Sequence, residues 1–120
     1  MDEQDYSAND IDAQELARWL EDTQPLYLLD VREPYEVEYA HLSDRRVLYA
    51  PLSRLAQQGV TALPEEVSPD GPKVVVFCHH GARSEQVAQW LQQLGKAQVY
   101  NLAGGIDAYA RLIDRSIPRY

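Results

Sequence analysis

Cysteine is scarce in this sequence of 120 residues, and the scarcity limits its chemistry. Cys78 is the single thiol, which excludes an internal disulfide and a zinc site built from several cysteines. Long apolar runs are also missing, since the longest, residues 74–78, is far too short to cross a bilayer. A basic stripe that could follow phosphates is absent as well. We therefore expect neither nucleic acid nor a membrane as a partner, and the acidic start, unlike a signal peptide, predicts a cytoplasmic protein.

Acidic residues are concentrated near the start of the chain. The formal net charge is −8, and residues 1–22 carry eight acids against the single base Arg18, which leaves the remainder nearly neutral. We interpret residues 1–9 as an acidic flexible tail and the acids beyond it as a solvated helix face, with contact to a basic partner as the alternative. Residues 10–120 are long enough to form a single domain around one sizeable core.

The apolar pattern after the tail alternates between two kinds of segment. Short apolar runs without a helical stripe predict strands, and apolar residues at helical spacing predict helices. The predicted strands are residues 26–29, 47–50, 73–78 and 99–102, and the predicted helices begin near residues 13, 34, 52, 84 and 105. This alternation predicts an α/β fold with a mostly parallel sheet and helices on both faces. Ligands of such sheets bind at the carboxyl ends of the strands.

Cys78 ends the strongest strand pattern, and the loop 79–83 leads directly into a helix predicted from Ser84. In that position the thiol lies over the positive end of a helix, where backbone N–H groups without partners converge and Arg83 adds a full charge. Each of these favours thiolate over thiol. Gly81 gives the loop the freedom to turn its amides inward. We therefore interpret Cys78 as a nucleophile that is open to water, and not as an inert core residue.

Two adjacent histidines, His79 and His80, follow the cysteine and suggest a metal site with Cys78 as a third ligand. We expect no metal and no cofactor there, because adjacent side chains on a tight loop usually diverge and His41 lies elsewhere in the chain. We interpret the two histidines as rim residues that shape the entrance and draw in anions.

The loop C-H-H-G-A-R, residues 78–83, resembles the active-site loop C-x-x-G-x-R of the rhodanese family. Residues 28–33, L-L-D-V-R-E, resemble the family's L-(I/L)-D-V-R-E segment, and residues 99–109, V-Y-N-L-A-G-G-I-D-A-Y, resemble V-x-x-L-x-G-G-I-x-x-W, with Tyr109 in place of tryptophan. The three motifs stand in the family's order. The resemblance implies a single-domain sulfurtransferase with a five-stranded parallel sheet, in which the cysteine holds a sulfane sulfur as a persulfide.

The resemblance also implies roles for particular residues. Cys78 is expected to be the catalytic nucleophile and carrier, within a substrate-binding loop formed by His79, His80, Gly81, Ala82 and Arg83. Ser84 is expected to support this loop. Asp30 and Arg32 match the family's D-x-R and either brace the loop or form an ordinary exposed pair.

The expected sulfur donor is a small anion such as thiosulfate, or a protein persulfide such as that of a cysteine desulfurase. Because the chain has no resolving cysteine, the sulfur must pass to an external acceptor, such as cyanide, a small thiol, a thioredoxin-like protein or a sulfur-carrier protein. Two other functions remain open. One is a non-enzymatic binding or regulatory module that uses the same loop, and the other is a phosphatase, whose related loop C-x5-R is one residue longer.

Overall fold

A computed structural model describes residues 9–120 of the chain. The first eight residues of the predicted acidic tail lie outside the described residues, and the ninth, Asn9, begins a strand. No helix within residues 9–120 combines the length and the apolar character needed to cross a membrane.

Five strands and five α-helices make up the fold within the described residues. The strands are β1 (Asn9–Ile11), β2 (Leu26–Asp30), β3 (Val47–Tyr49), β4 (Lys73–Phe77) and β5 (Val99–Leu102). The helices are α1 (Ala13–Glu21), α2 (Pro34–Tyr39), α3 (Leu52–Gln58), α4 (Ala82–Gln93) and α5 (Gly105–Leu112), and a 3₁₀ turn, Gly59–Ala62, follows α3. All paired strands are parallel, in the order β1-β5-β4-β2-β3. The predicted α/β class and the five-stranded parallel sheet are confirmed.

Local sequence signals explain where several helices begin. The Asp12 side chain accepts a hydrogen bond from the Glu15 backbone N–H at 2.8 Å, which caps α1. Pro34 occupies the first turn of α2, where its missing N–H costs nothing. Helix α4 begins at Ala82, two residues earlier than predicted, because Gly81 adopts a φ of 113° and ends the preceding loop.

The sheet is covered on both faces, because neighbouring residues of its central strands enter different apolar clusters. Leu28 of β2 packs in one cluster with Leu16 of α1 and Ile106 of α5. Leu29 packs in the other cluster, which includes Leu55 of α3. Since successive strand side chains point to opposite faces, helices α1 and α5 cover one face, and α3 and α4 cover the other.

The edge strand β1 was not predicted as a strand. It has only three residues, N-D-I, two of which are exposed, so neither length nor apolar alternation marks it. It exists because β5 offers a free edge, and Asp10 lies in register with Asn101 of β5. The carboxyl ends of β2, β4 and β5 then meet at one edge of the sheet, where the loop after Cys78 lies.

Candidate active site

Cys78 follows β4 directly, and its sulfur is surrounded by hydrogen-bond donors from the start of α4. The backbone N–H of Gly81 lies 3.2 Å from Sγ, and that of Ser84 lies 3.3 Å from it. The Ser84 hydroxyl is 3.4 Å away. Both N–H groups belong to the unpaired amides at a helix start, so the loop turns its positive ends onto a single atom.

The Cys78 residue is almost fully buried, with 1% of its surface exposed. The expectation that the thiol stands open to water is wrong for this conformation. The loop wraps the sulfur more tightly than its composition suggests, because the N–H groups of Gly81 and Ser84 both turn back onto Sγ and close a short turn around it.

The Ser84 hydroxyl has a closer partner than the sulfur. It lies 2.5 Å from Oδ1 of Asn101, whose Nδ2 donates to Asp10 at 3.1 Å. A hydroxyl has one hydrogen, and the shorter distance directs it to Asn101. The two backbone N–H groups are therefore the committed donors to the sulfur, while Ser84 ties the loop to β5 and β1.

The opposite side of the loop is held by the start of α5. The N–H of Ile106 donates to the Cys78 carbonyl at 2.9 Å, and the N–H of Asp107 donates to the His79 carbonyl at 3.1 Å. This approach requires glycine at position 105, because a Cβ there would lie 2.3 Å from the His79 oxygen and 2.6 Å from the Cys78 oxygen. One helix thus binds the sulfur, and the other binds the backbone that carries it.

Arg83, in the first turn of α4, is paired with a carboxylate that sequence reasoning did not identify. Its Nη1 and Nη2 donate to the two oxygens of Glu36 at 2.8 Å and 2.9 Å. These charged hydrogen bonds lower the pKa of Glu36 to about 2 even though burial raises it. Hydrogen bonding to Glu36 is also the main reason that the pKa of Arg83 lies above its usual value, with a smaller contribution from the Cys78 sulfur.

Tyr120 links the Glu36 carboxylate to a second ion pair. Its hydroxyl donates to Glu36 Oε2 at 3.0 Å and accepts from Nη1 of Arg32 at 2.9 Å. Arg32 in turn binds both oxygens of Asp30, and neither side chain of this pair is exposed. The interpretation of Asp30 and Arg32 as an ordinary exposed pair is wrong. Burial, mainly, raises the pKa of Tyr120 to about 12, so its hydroxyl stays protonated at neutral pH.

His79 and His80 do not diverge as expected for neighbours on a tight loop. Their ring centroids lie 3.8 Å apart, and the other face of His79 stacks on Tyr120 at 3.8 Å with 5° between the planes. Burial is the main reason that the pKa of His79 is lowered, and the neighbouring His80 adds to the effect. His79 therefore carries little charge at pH 7 and attracts anions less than expected. Among residues 9–120 no three histidine, cysteine or acidic side chains lie close enough to hold a metal ion.

The structure turns Gly81 and Ser84 onto the Cys78 sulfur. It pairs Arg83 with Glu36, and Tyr120 connects that pair to Arg32 and Asp30. Sequence reasoning missed Glu36, Asn101 and Tyr120. Glu36 does carry a signal, its capping-box spacing from Glu33, but that pattern predicts a helix start and not a partner for Arg83. Tyr120 carries none, because it lies 84 residues from Glu36 along the chain.

Comparison with protein-family models matches residues 12–112 to the rhodanese-like domain. The chain belongs to the rhodanese-like domain family. A sulfurtransferase of Allochromatium vinosum is 36% identical to this rhodanese-like domain over 103 residues, which is 86% of this chain and 89% of that protein. These similarities support a role of the sulfurtransferase type.

A chloroplastic rhodanese-like/PpiC domain-containing protein 12 of Arabidopsis thaliana is 42% identical over 118 residues. The match covers 92% of this chain, which spans 37% of the length of the Arabidopsis protein. Among solved structures, a rhodanese-related protein from Thermoplasma volcanium superposes with a TM-score of 0.68 at 29% identity, covering 86% of this chain and 91% of the other. The rhodanese-like fold expected from the three motifs is confirmed.

Proposed function

We propose that this rhodanese-like domain is a sulfurtransferase that carries sulfane sulfur as a persulfide on Cys78. In the first step the Cys78 thiolate attacks the sulfane sulfur of a donor, thiosulfate or a persulfide, and the donor's remaining sulfur leaves with the bonding electron pair as sulfite or a thiolate. In the second step an external nucleophile attacks the outer sulfur, and the Cys78 thiolate is released.

The observation that carries this proposal is the convergence of the Gly81 and Ser84 N–H groups on Sγ, at 3.2 Å and 3.3 Å. Donors aimed at a sulfur favour its anionic form, both as the attacking thiolate and as the group that leaves in the second step. An inert core cysteine would gain nothing from two backbone donors and a glycine in a left-handed conformation.

The acceptor is proposed to be external, because Cys78 is the only cysteine in the chain and no second thiol is present to resolve the persulfide. Cyanide, a small thiol, a thioredoxin-like protein or a sulfur-carrier protein would each serve as the nucleophile. The domain would then act as one carrier in a relay of sulfur transfer.

Intact mass spectrometry of the protein after incubation with a donor tests the proposal. Thiosulfate and cysteine persulfide are used in parallel, with and without a thiol reductant, and a gain of one sulfur atom that the reductant removes is expected. The same experiment on Cys78→Ala should show no gain. If neither donor loads the folded wild-type protein, the proposal is wrong.

A non-enzymatic binding or regulatory module is the second candidate, and the 1% exposure of Cys78 favours it. A sealed sulfur would react neither with donors nor with alkylating reagents. Alkylation by iodoacetamide separates the two functions. In a carrier the loop around Cys78 must open often enough for the thiol to be alkylated at a rate comparable with a free thiol. In a sealed module the thiol would resist alkylation until the protein is unfolded.

A further inference from the structure

Glu36 is held in place more firmly than an ordinary surface carboxylate. Its Oε1 accepts from the Glu33 N–H at 3.0 Å and from Arg83 at 2.8 Å, and its Oε2 accepts from Arg83 at 2.9 Å and from Tyr120 at 3.0 Å. Each oxygen therefore has two donors. Because each oxygen already accepts two hydrogen bonds, rotating the carboxylate away from Arg83 would break several of them at once.

The consequence for Arg83 is that its charge is neutralised where it faces the site. Its side chain is 33% exposed, so solute molecules can reach it, but the partner Glu36 is only 7% exposed and accepts four hydrogen bonds. The low pKa of Glu36, about 2, means that the pair stays ionised at any physiological pH. An anion that approaches Arg83 meets the charge of Glu36 as well, so it gains little net attraction.

Two other arginines near the loop are also paired with carboxylates. Arg32 is bound by both oxygens of Asp30, and Arg119 donates to both oxygens of Asp107, whose own N–H holds the loop at His79. Since His79 is largely neutral at pH 7, it does not replace the missing charge. The site therefore presents amide dipoles for one sulfur atom, but weak attraction for a doubly charged ion.

We propose that Glu36, held by Tyr120, is a specificity-determining residue that directs the site away from thiosulfate and towards persulfide donors. The inference rests on the proposed function, because it concerns which donor loads Cys78. Thiosulfate brings two negative charges, and a persulfide brings at most one on its reacting sulfur. The favoured step is attack of the Cys78 thiolate on the outer sulfur of R–S–SH, which forms Cys78–S–SH and releases R–S⁻, with no net oxidation.

Single-turnover loading of the full chain tests this inference, with thiosulfate and cysteine persulfide as the two donors and intact mass as the readout. Donors differ in intrinsic reactivity, so the measured quantity is the ratio of the thiosulfate rate constant to the persulfide rate constant. In Glu36→Gln the carboxylate charge is removed, so the positive charge of Arg83 is no longer compensated. We therefore expect this ratio to rise by about tenfold over wild type. The gain should shrink as salt is added.

Two further variants make the result specific. Tyr120→Phe keeps the ring that stacks on His79 but removes one of the four donors to Glu36, so the ratio should rise in the same direction by about twofold to threefold. Glu38→Gln removes the same charge from an exposed position of α2 and should leave the ratio within about twofold of wild type. Melting curves confirm that each variant is folded.

The outcomes separate this inference from the proposed function. Loading of the wild type by neither donor would overturn the proposed function itself. Loading of the wild type with the same ratio in Glu36→Gln and Tyr120→Phe would overturn only the role of Glu36. A rise in Glu38→Gln equal to that in Glu36→Gln would also overturn it, since the effect would then be one of overall charge. If Glu36→Gln fails to fold, an unchanged ratio in Tyr120→Phe contradicts the inference.

Discussion

The Cys78 sulfur is the atom on which two backbone N–H groups converge, and a single substitution isolates its chemistry. Cys78→Ser replaces the sulfur by a smaller oxygen that is a poor nucleophile at neutral pH, so sulfur loading from any donor should fall below detection. The hydroxyl can keep the donors of Gly81 and Ser84, so the melting temperature should stay within about 3 °C of wild type. Intact mass and thermal melting measure the two effects.

Residual loading of the serine variant would show that sulfur is bound elsewhere in the chain, and the carrier role of Cys78 would then be wrong. Cyanide-dependent formation of thiocyanate from thiosulfate provides an independent check. It should disappear together with the gain in mass.

Arg83 has a structural role in addition to the charge that its place in the loop suggests. Arg83→Ala leaves Glu36, whose side chain is 7% exposed, without its two charged hydrogen bonds. We expect a loss of about 2 kcal/mol in the free energy of unfolding, measured by urea denaturation at pH 7. If Arg83 served only an incoming anion, the loss of stability would be smaller.

Arg119→Ala is the matched control for that measurement. Arg119 also binds a carboxylate through two nitrogens, but its side chain is 56% exposed, so its loss should lower the free energy of unfolding much less than the loss of Arg83 does. Equal losses in the two variants would mean that the burial of Glu36 adds nothing to the Arg83 pair.

At the scale of secondary-structure elements, the start of α5 and the loop after β4 are fitted together at one glycine. In Gly105→Ala the new Cβ would meet backbone oxygens of His79 and Cys78 at 2.3 Å and 2.6 Å, and the φ of +63° adds strain. Because backbone atoms cannot move aside easily, we expect a loss of at least about 3 kcal/mol in unfolding free energy and a large loss of sulfur loading.

Gly59→Ala is the control, because Gly59 has nearly the same φ, +60°, and nothing lies within 4 Å of the point that a Cβ there would occupy. Strain alone should cost about 1–3 kcal/mol there and should leave the loading rate of the folded protein unchanged. A loading rate that also stays normal in folded Gly105→Ala would contradict the claim that α5 positions the active-site loop.

At the scale of the whole molecule, stability should fall in acid. The pKa of Glu36 is about 2 in the folded protein against a usual 4.5, because Arg83 binds the charged form, and the pKa values of Asp44 and Asp107 are lowered as well. Groups with lowered pKa values stabilise the fold fully above their unfolded values and lose that contribution as pH falls. Unfolding free energy should therefore decline from about pH 4.5 towards pH 2.

Glu36→Gln assigns part of that decline to one residue. The variant should be less stable than wild type at pH 7 by about 2 kcal/mol. The difference should narrow from about pH 4.5 down to about pH 2, where the folded wild-type carboxyl is half protonated. Denaturant titrations at several pH values measure both curves. A difference that stays constant with pH would mean that folding does not lower the pKa of Glu36.

The candidate site could be predicted from the sequence where its residues are neighbours in the chain. Cys78, Gly81 and Ser84 lie within one strand–loop–helix unit, and hydrogen bonding between adjacent backbone segments is set locally. Glu36 and Tyr120 could not be predicted in the same way. Their roles depend on which segments the fold brings to the carboxyl edge of the sheet.

The amino-acid pattern by itself determined the α/β class, the strands β2 to β5 and the position of the cysteine at a helix start, because apolar periodicity and turn residues act over short stretches of chain. Only the tertiary structure decided three things: that Asn9–Ile11 pairs with β5 as a further strand, that Asp30 and Arg32 are buried, and that Arg83 is neutralised by Glu36. The physical reason is that the pairing of charged groups and of short edge strands depends on residues far away in sequence. Those residues come together only when the layers of the fold pack.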